Sequence, residues 1–214
     1  MRNKTYRSVS NYLRLSHRQF YLIDRLAWHS KNLYNVALYN IRQHYYEWQE
    51  NATYLTGVRP DIVSKVDILI GSFLPYTRKK TFPYKDICNY VRTKPNENFS
   101  ILHNDVAQQT ARSVEEAYHS FFELIKMYHR GELSDCPHPP RYLDKDGRYQ
   151  LAFPAAHLRM KNGYVTIGVS HQFRRQYGVT KNELTFKIPP QIRRYKITEV
   201  TILPINNGMT YKIK

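Results

Sequence analysis

The stretch from Ser16 to about Asn51 contains neither Gly nor Pro, and no other feature constrains the chain as strongly. Within it Leu22, Leu26, Leu33, Ala37, Ile41, Tyr45 and Trp48 recur at three-, four- or seven-residue steps. One apolar stripe therefore runs the whole length at the helical period. Ser16 followed three residues later by Gln19 offers a capping box, each side chain satisfying a backbone donor at the helix start. A helix of this length spans on the order of 50 Å. Opposite the stripe stand Arg25, Lys31, Asn32, Asn35, Arg42 and Gln43. A face so rich in cations and amides is either simply solvated or turned toward a polyanion.

A second helical pattern starts at Asn104 or Asp105 and runs to about Arg130, with Ala107, Ala111, Val114, Tyr118, Phe121, Ile125 and Tyr128 as its stripe. Lys126, His129 and Arg130 occupy its last turn, where cations suit the helix dipole, and Gly131 is a natural stop. Between the two long helices, Ile62–Gly71 is apolar, and Tyr84–Val91 reads as a short helix. The R-K-K run between Pro75 and Pro83 reads as a basic loop. Two long amphipathic helices with a shorter one between them bury their stripes against one another, which predicts a small helical bundle.

The pattern changes after C-P-H-P-P. Short strands are expected at Tyr149–Phe153, Tyr164–Val169, Leu184–Ile188, Ile197–Ile205 and Thr210–Ile213. Asp146-Gly147, Asn162-Gly163 and Asn207-Gly208 are hairpin signals. Strands at this spacing suggest a small antiparallel barrel of the kind that often binds oligonucleotides. Residues 3–15 alternate loosely and read as one more strand feeding the long helix. The expected fold is α+β: a small antiparallel β-barrel formed by 1–15 plus 137–214, interrupted by an inserted helical bundle at 16–136.

Charge supplies the first functional constraint. Lys and Arg number 33 against 17 Asp and Glu, a formal charge of +16, and 19 of the residues are Tyr. Positive charge attracts polyphosphate and aromatic rings offer stacking surfaces for bases, so the combination favours nucleic acid. The basic residues are spread throughout rather than concentrated on one amphipathic helix, which argues against a membrane-surface role. No apolar run reaches 18 residues and M-R-N-K-T-Y lacks a signal core, so a cytoplasmic location is expected. Cys88 and Cys136 are too few for a four-cysteine zinc site, and Cys136-Pro-His138 is at most half a metal site. The histidines are scattered, so no metal-ligating residue and no catalytic residue is assigned. Glu115 and Glu116 adjoin in a helix, where neighbours point about 100° apart and cannot share an ion. Asp144 and Asp146 flank Lys145 and read as turn residues.

Three stretches carry a resemblance. R-L-S-H-R-Q…L-I-D-R-L…S-K-N-L-Y-N-V-A-L-Y-N-I-R-Q-H-Y, then A-Q-Q-T-A-R-S-V-E-E-A-Y-H-S-F-F, then P-P-R-Y-L-D-K-D-G occur in that order. Together they resemble the N-terminal half of the TnpB (OrfB) family of transposon-encoded, RNA-guided DNA endonucleases, relatives of the type V CRISPR effectors. The resemblance implies a barrel-like wedge domain interrupted by a helical recognition domain, with guide RNA and target DNA as partners. It also implies reading of a short transposon-adjacent DNA motif, for which Tyr84 and Gln108 match family positions and Asn104 adds a contact at the start of the same helix. Backbone contacts are expected from Arg42, Lys79, Lys80, Arg112, Arg141, Arg148, Arg174, Arg175, Arg193 and Arg194. The family continues into a RuvC-like nuclease with three carboxylates and a zinc ribbon, whereas this sequence stops at Y-K-I-K. Asp67 comes nearest to a nuclease carboxylate but lies in the helical region. No cofactor is therefore expected in this chain, Mg²⁺ and Zn²⁺ belonging to the nuclease part. Alternatives are one half of a split or truncated endonuclease, completed by a separate RuvC-bearing polypeptide, or a nuclease-free RNA-guided repressor.

Overall fold

A computed structural model describes residues 8–56 and 96–214, excepting the side chains of 44, 45 and 47–56. The expected elements at Ile62–Gly71 and Tyr84–Val91, the R-K-K loop, and the residues Lys79, Lys80 and Tyr84 lie outside the described residues.

Helix α1 spans His17–Thr56, 40 residues. Its capping box forms as the sequence dictates: the Ser16 N–H donates to Gln19 Oε1 at 3.1 Å, and the Gln19 N–H donates to Ser16 Oγ at 3.2 Å. The stripe residues Leu22, Leu26, Leu33, Ala37 and Ile41 are all buried. Helix α2, Glu97–Ile101, is a short turn capped by the side chain of Asn96, which accepts from the Phe99 N–H. Helix α3 spans Asn104–His129. It ends in a Schellman arrangement: Gly131 adopts φ +77°, its N–H donates to Tyr128 C=O, and the Glu132 N–H donates to Met127 C=O.

The strands are β1 (Asn11–Tyr12), β2 (Leu151–Pro154), β3 (Leu158–Lys161), β4 (Tyr164–Ile167), β5 (Thr185–Lys187), β6 (Glu199–Ile205) and β7 (Thr210–Ile213). Helix α4, His171–Tyr177, lies between β4 and β5. Two antiparallel sheets result, ordered β1-β7-β6-β2 and β3-β4-β5. The α+β class is as expected, but the described strands form no closed barrel. Proline marks both crossings between sheets. Pro154 ends β2, and Pro189 with Pro190 follows β5 at a short 3₁₀ turn. These residues bring no N–H to a ladder, which weakens pairing at both crossings.

Of the hairpin signals, Asn162-Gly163 joins β3 to β4 as a two-residue turn with both residues at positive φ, 51° and 75°. Asn207-Gly208 lies in the loop joining β6 to β7. Asp146-Gly147 makes a turn, closed by the Gly147 N–H on Asp144 C=O, but paired strands do not flank it. Among the described residues, the N-terminal strand is β1, which pairs with β7 through Asn11↔Ile213 and Tyr12↔Lys212.

The chain divides into two compact units. One contains the described residues 8–33, 96–110 and 143–214, the other 34–56 and 111–142, so each long helix contributes residues to both. The core of the first includes Leu22, Ile23, Leu26, Ile101, Val106, Leu151, Phe153, Phe173, Ile202 and Tyr211. That of the second includes Ala37, Leu38, Ile41, Ala111, Val114, Tyr118 and Phe121, with Tyr118 edge-on to Phe121 at 6.2 Å. Among the described residues, no helix is long and apolar enough to cross a membrane.

Candidate nucleic-acid interface

Several cations that the sequence offers to a polyanion are committed within the protein. Lys31 is 4% exposed, and its ammonium donates to Lys145 C=O at 2.7 Å. Burial, reinforced by Arg148, pushes its pKa below the ordinary lysine value. Arg148 grips Asp24 through two bonds, Nε to Oδ1 at 2.6 Å and a terminal nitrogen to Oδ2 at 2.9 Å. That pairing, with both side chains mostly buried, withdraws Arg148 from the expected backbone contacts. Arg25 joins the same carboxylate at 3.0 Å. In the second unit Arg42 lies over the Tyr142 ring at 5.0 Å, Arg112 pairs with Glu116, and Arg141 is exposed.

A different face combines exposed cations with an exposed ring. The register of β3, β4 and β5 places Lys161, Tyr164 and Lys187 in one cross-strand row and Arg159, Thr166 and Thr185 in the next. Side chains alternate along a strand, so both rows share a face, while Leu158, Val165, Ile167 and Phe186 are buried on the other. Directly opposed Cβ atoms stand about 4.5–5.5 Å apart, so a lysine is rooted on each side of Tyr164. Tyr164 is 46% exposed. The Thr166 and Thr185 hydroxyls are hydrogen-bonded at 2.8 Å. At the Asn162-Gly163 turn the Arg193 guanidinium packs so closely that a Cβ on Gly163 would lie 2.9 Å from its central carbon. Arg193 Nε donates to Ile188 C=O, which fixes the group there.

Beside this face opens a cleft of about 390 Å³ whose lining includes Arg159, Arg174, Lys181, Thr166, Asn182 and Glu183. The one carboxylate among its described lining residues is already satisfied: Glu183 accepts from the Thr180 N–H and pairs with Arg18 at 3.0 Å. The Thr180 bond, aided by Arg18, holds the Glu183 carboxyl below the usual range, so it is ionised near neutrality. Arg175 is exposed beside Arg174 on α4, and Arg194 lies over the exposed Tyr195 at 5.2 Å. Asn104 is exposed at the start of α3, and Gln108 is half-buried one turn later.

No family model matches the chain, and no curated protein matches it.

The cleft also borders a cluster that sequence spacing does not reveal. His103 precedes α3, Asp105 lies in its first turn, and His157 closes the 3₁₀ turn between β2 and β3. Asp105 Oδ2 is 3.8 Å from His103 Nδ1, and His157 Nε2 lies against the same oxygen. The two imidazoles are 4.5 Å apart, centroid to centroid. Burial holds the His103 pKa below its ordinary value; His157 and Arg174 push the same way and Asp105 opposes them. Both imidazoles line the cleft.

Proposed function

We propose that this chain is the nucleic-acid-binding part of a TnpB-like, RNA-guided DNA endonuclease, holding guide RNA and target DNA. The observation that carries the proposal is the row Lys161–Tyr164–Lys187, an exposed ring between two cations on a sheet face. An aromatic platform with flanking cations suits a base stacked on the ring and phosphates on either side. The formal charge of +16 favours the same partner. The pairing of β1 with β7, with both long helices between them in sequence, is in keeping with a wedge interrupted by a helical recognition domain. On this reading Gln108, Asn104 and Tyr84 read the adjacent motif, since a Gln amide pairs bidentately with adenine. Arg159, Arg174, Arg175, Arg193 and Arg194 hold backbone phosphates.

The test is binding of labelled single-stranded RNA and DNA, by anisotropy, across a series of salt concentrations. Lys161→Ala with Lys187→Ala should lower the slope of log K against log salt by roughly 1.4, about 0.7 per lost contact on a single strand. Tyr164→Ala should weaken binding by about 1–3 kcal/mol with little change in slope. Salt-independent binding, or a triple variant that binds as the wild type does, would sink the proposal. For the motif, Gln108→Ala in the guide-RNA complex should change preference by about 1–3 kcal/mol; uniform weakening would assign Gln108 to backbone positioning.

A further inference from the structure

We propose that His103, Asp105 and His157 bind one divalent transition-metal ion, of which zinc suits them best. The three residues come from separate parts of the fold, yet their donor atoms all lie within 4.8 Å of one another. Donors sharing a tetrahedral zinc at about 2.0–2.2 Å stand roughly 3.3 Å apart, so rotamer adjustments of about an ångström close the set. The 3.8 Å from His103 Nδ1 to Asp105 Oδ2 is already near that separation. Donor chemistry selects the ion: two imidazoles and a carboxylate suit zinc, cobalt or nickel, whereas magnesium and calcium take oxygen shells.

The Asp105 carboxylate adds a second observation. Its Oδ2 is shielded from solvent and receives no hydrogen bond, although His157 Nε2 lies against it. A shielded carboxylate oxygen whose neighbouring ring nitrogen is not aligned to donate to it is costly, and a metal ion held between the two atoms replaces that contact. Three protein ligands leave a position for water or an anion. Because His103 and His157 both line the cleft, that position is accessible from it. Arg174, near His103, disfavours a bare cation and favours one whose open position carries an anion. The rival account is purely structural: Asp105 stabilises the start of α3, and His103 Nδ1 accepts a long 3.4 Å bond from the Asp105 N–H as a cap.

The experiment titrates the chelator-treated full chain with Co²⁺, read by visible absorption, and with Zn²⁺, read by calorimetry and by the shift in melting temperature. The expected result is one equivalent of Co²⁺ in a low-symmetry site, displaced by Zn²⁺, and a melting temperature that rises with Zn²⁺. Asp105→Asn and His157→Ala should each weaken binding at least tenfold, while Cys136→Ala and His138→Ala leave it unchanged. If Asp105→Asn fails to fold, His157→Gln, at a side chain 39% exposed, carries the same test. Absence of a saturable Co²⁺ spectrum would overturn the proposal. So would an equivalent that survives at position 157 variants, or a Zn²⁺-induced melting shift equal in wild type and variants.

Discussion

Asp24 shows how one side chain can decide what its neighbours are free to do. It accepts two bonds from Arg148, one from Arg25 and one from the Tyr211 hydroxyl at 3.1 Å, with the Asp24 and Arg148 side chains 14% and 15% exposed. Gly208 makes room for this: at φ +90°, an added Cβ would come 2.7 Å from Arg148 Cγ. Burial alone would raise the Asp24 pKa, but the Arg148 bonds, then Arg25 and Tyr211, outweigh it and hold it below 3.8. The folded value lies below the unfolded one, so the ion pair stabilises the protein fully above about pH 4. That contribution is lost as pH falls from there through the lower folded value. Asp24→Asn should therefore destabilise by about 3 kcal/mol at pH 7 in urea unfolding, because Arg148 is left mostly buried and unpaired. The difference from wild type should shrink toward zero as pH is lowered below 3.8; a difference that stays constant down to the lowest pH at which the protein folds would refute the assignment. The same burial terminates two sequence expectations, since neither Lys31 nor Arg148 remains on offer to a ligand. Nothing in the spacing of Asp24 and Arg148 announces that pairing, and the same holds for His103 and His157, which meet only because α3 and the 3₁₀ turn after β2 share a unit.

At the scale of elements, legibility followed the strength of the local signal. Helix α1 and its capping box, helix α3 with its Gly131 stop, and the Asn162-Gly163 turn could all be read because periodicity or turn chemistry is explicit there. Strand β3 carries no strand signal of its own: L-R-M-K has no β-branched residue, and its pairing with β4 is set by the turn that follows. Helix α4 has no periodic signal, although Ser170 caps it, accepting from the Phe173 N–H at 3.0 Å, and Gly178 closes it in the left-handed region. Seven residues are too few for a period to show. The Asn162-Gly163 turn also permits a prediction. Gly163→Ala carries two penalties, a positive φ and a clash with the Arg193 guanidinium. It should destabilise by about 1–3 kcal/mol. In an Arg193→Ala background the clash disappears while the φ penalty remains, so the added cost of Gly163→Ala should fall to about 1 kcal/mol. Equal costs in both backgrounds would show that Arg193 does not pack on the turn.

For the whole molecule, the distribution of carboxylates bears on chemistry. Among the described residues, the group of His, Cys, Asp and Glu side chains close enough to share an ion is His103, Asp105 and His157, with a single carboxylate. A RuvC-type cut needs two divalent ions held by several converging carboxylates. On the function proposed above, the purified chain, given guide RNA, a DNA target and Mg²⁺ or Mn²⁺, should bind without cutting; cleavage abolished by one Asp→Ala change would overturn this. The pairing of β1 with β7, and of Asp24 with Tyr211, has a consequence for synthesis. Asp24 leaves the ribosome 187 residues before Tyr211, a wait of roughly ten to forty seconds at ordinary elongation rates. Throughout it, α1 can already be helical, because its hydrogen bonds are local. Strand β1 has no ladder to join, and the carboxylate has only Arg25 beside it until Arg148 emerges. The four-stranded sheet can thus be completed only once β7 has emerged, and a ribosome stalled before β7 would present the exposed edge of β6 to whatever chain or chaperone is nearby.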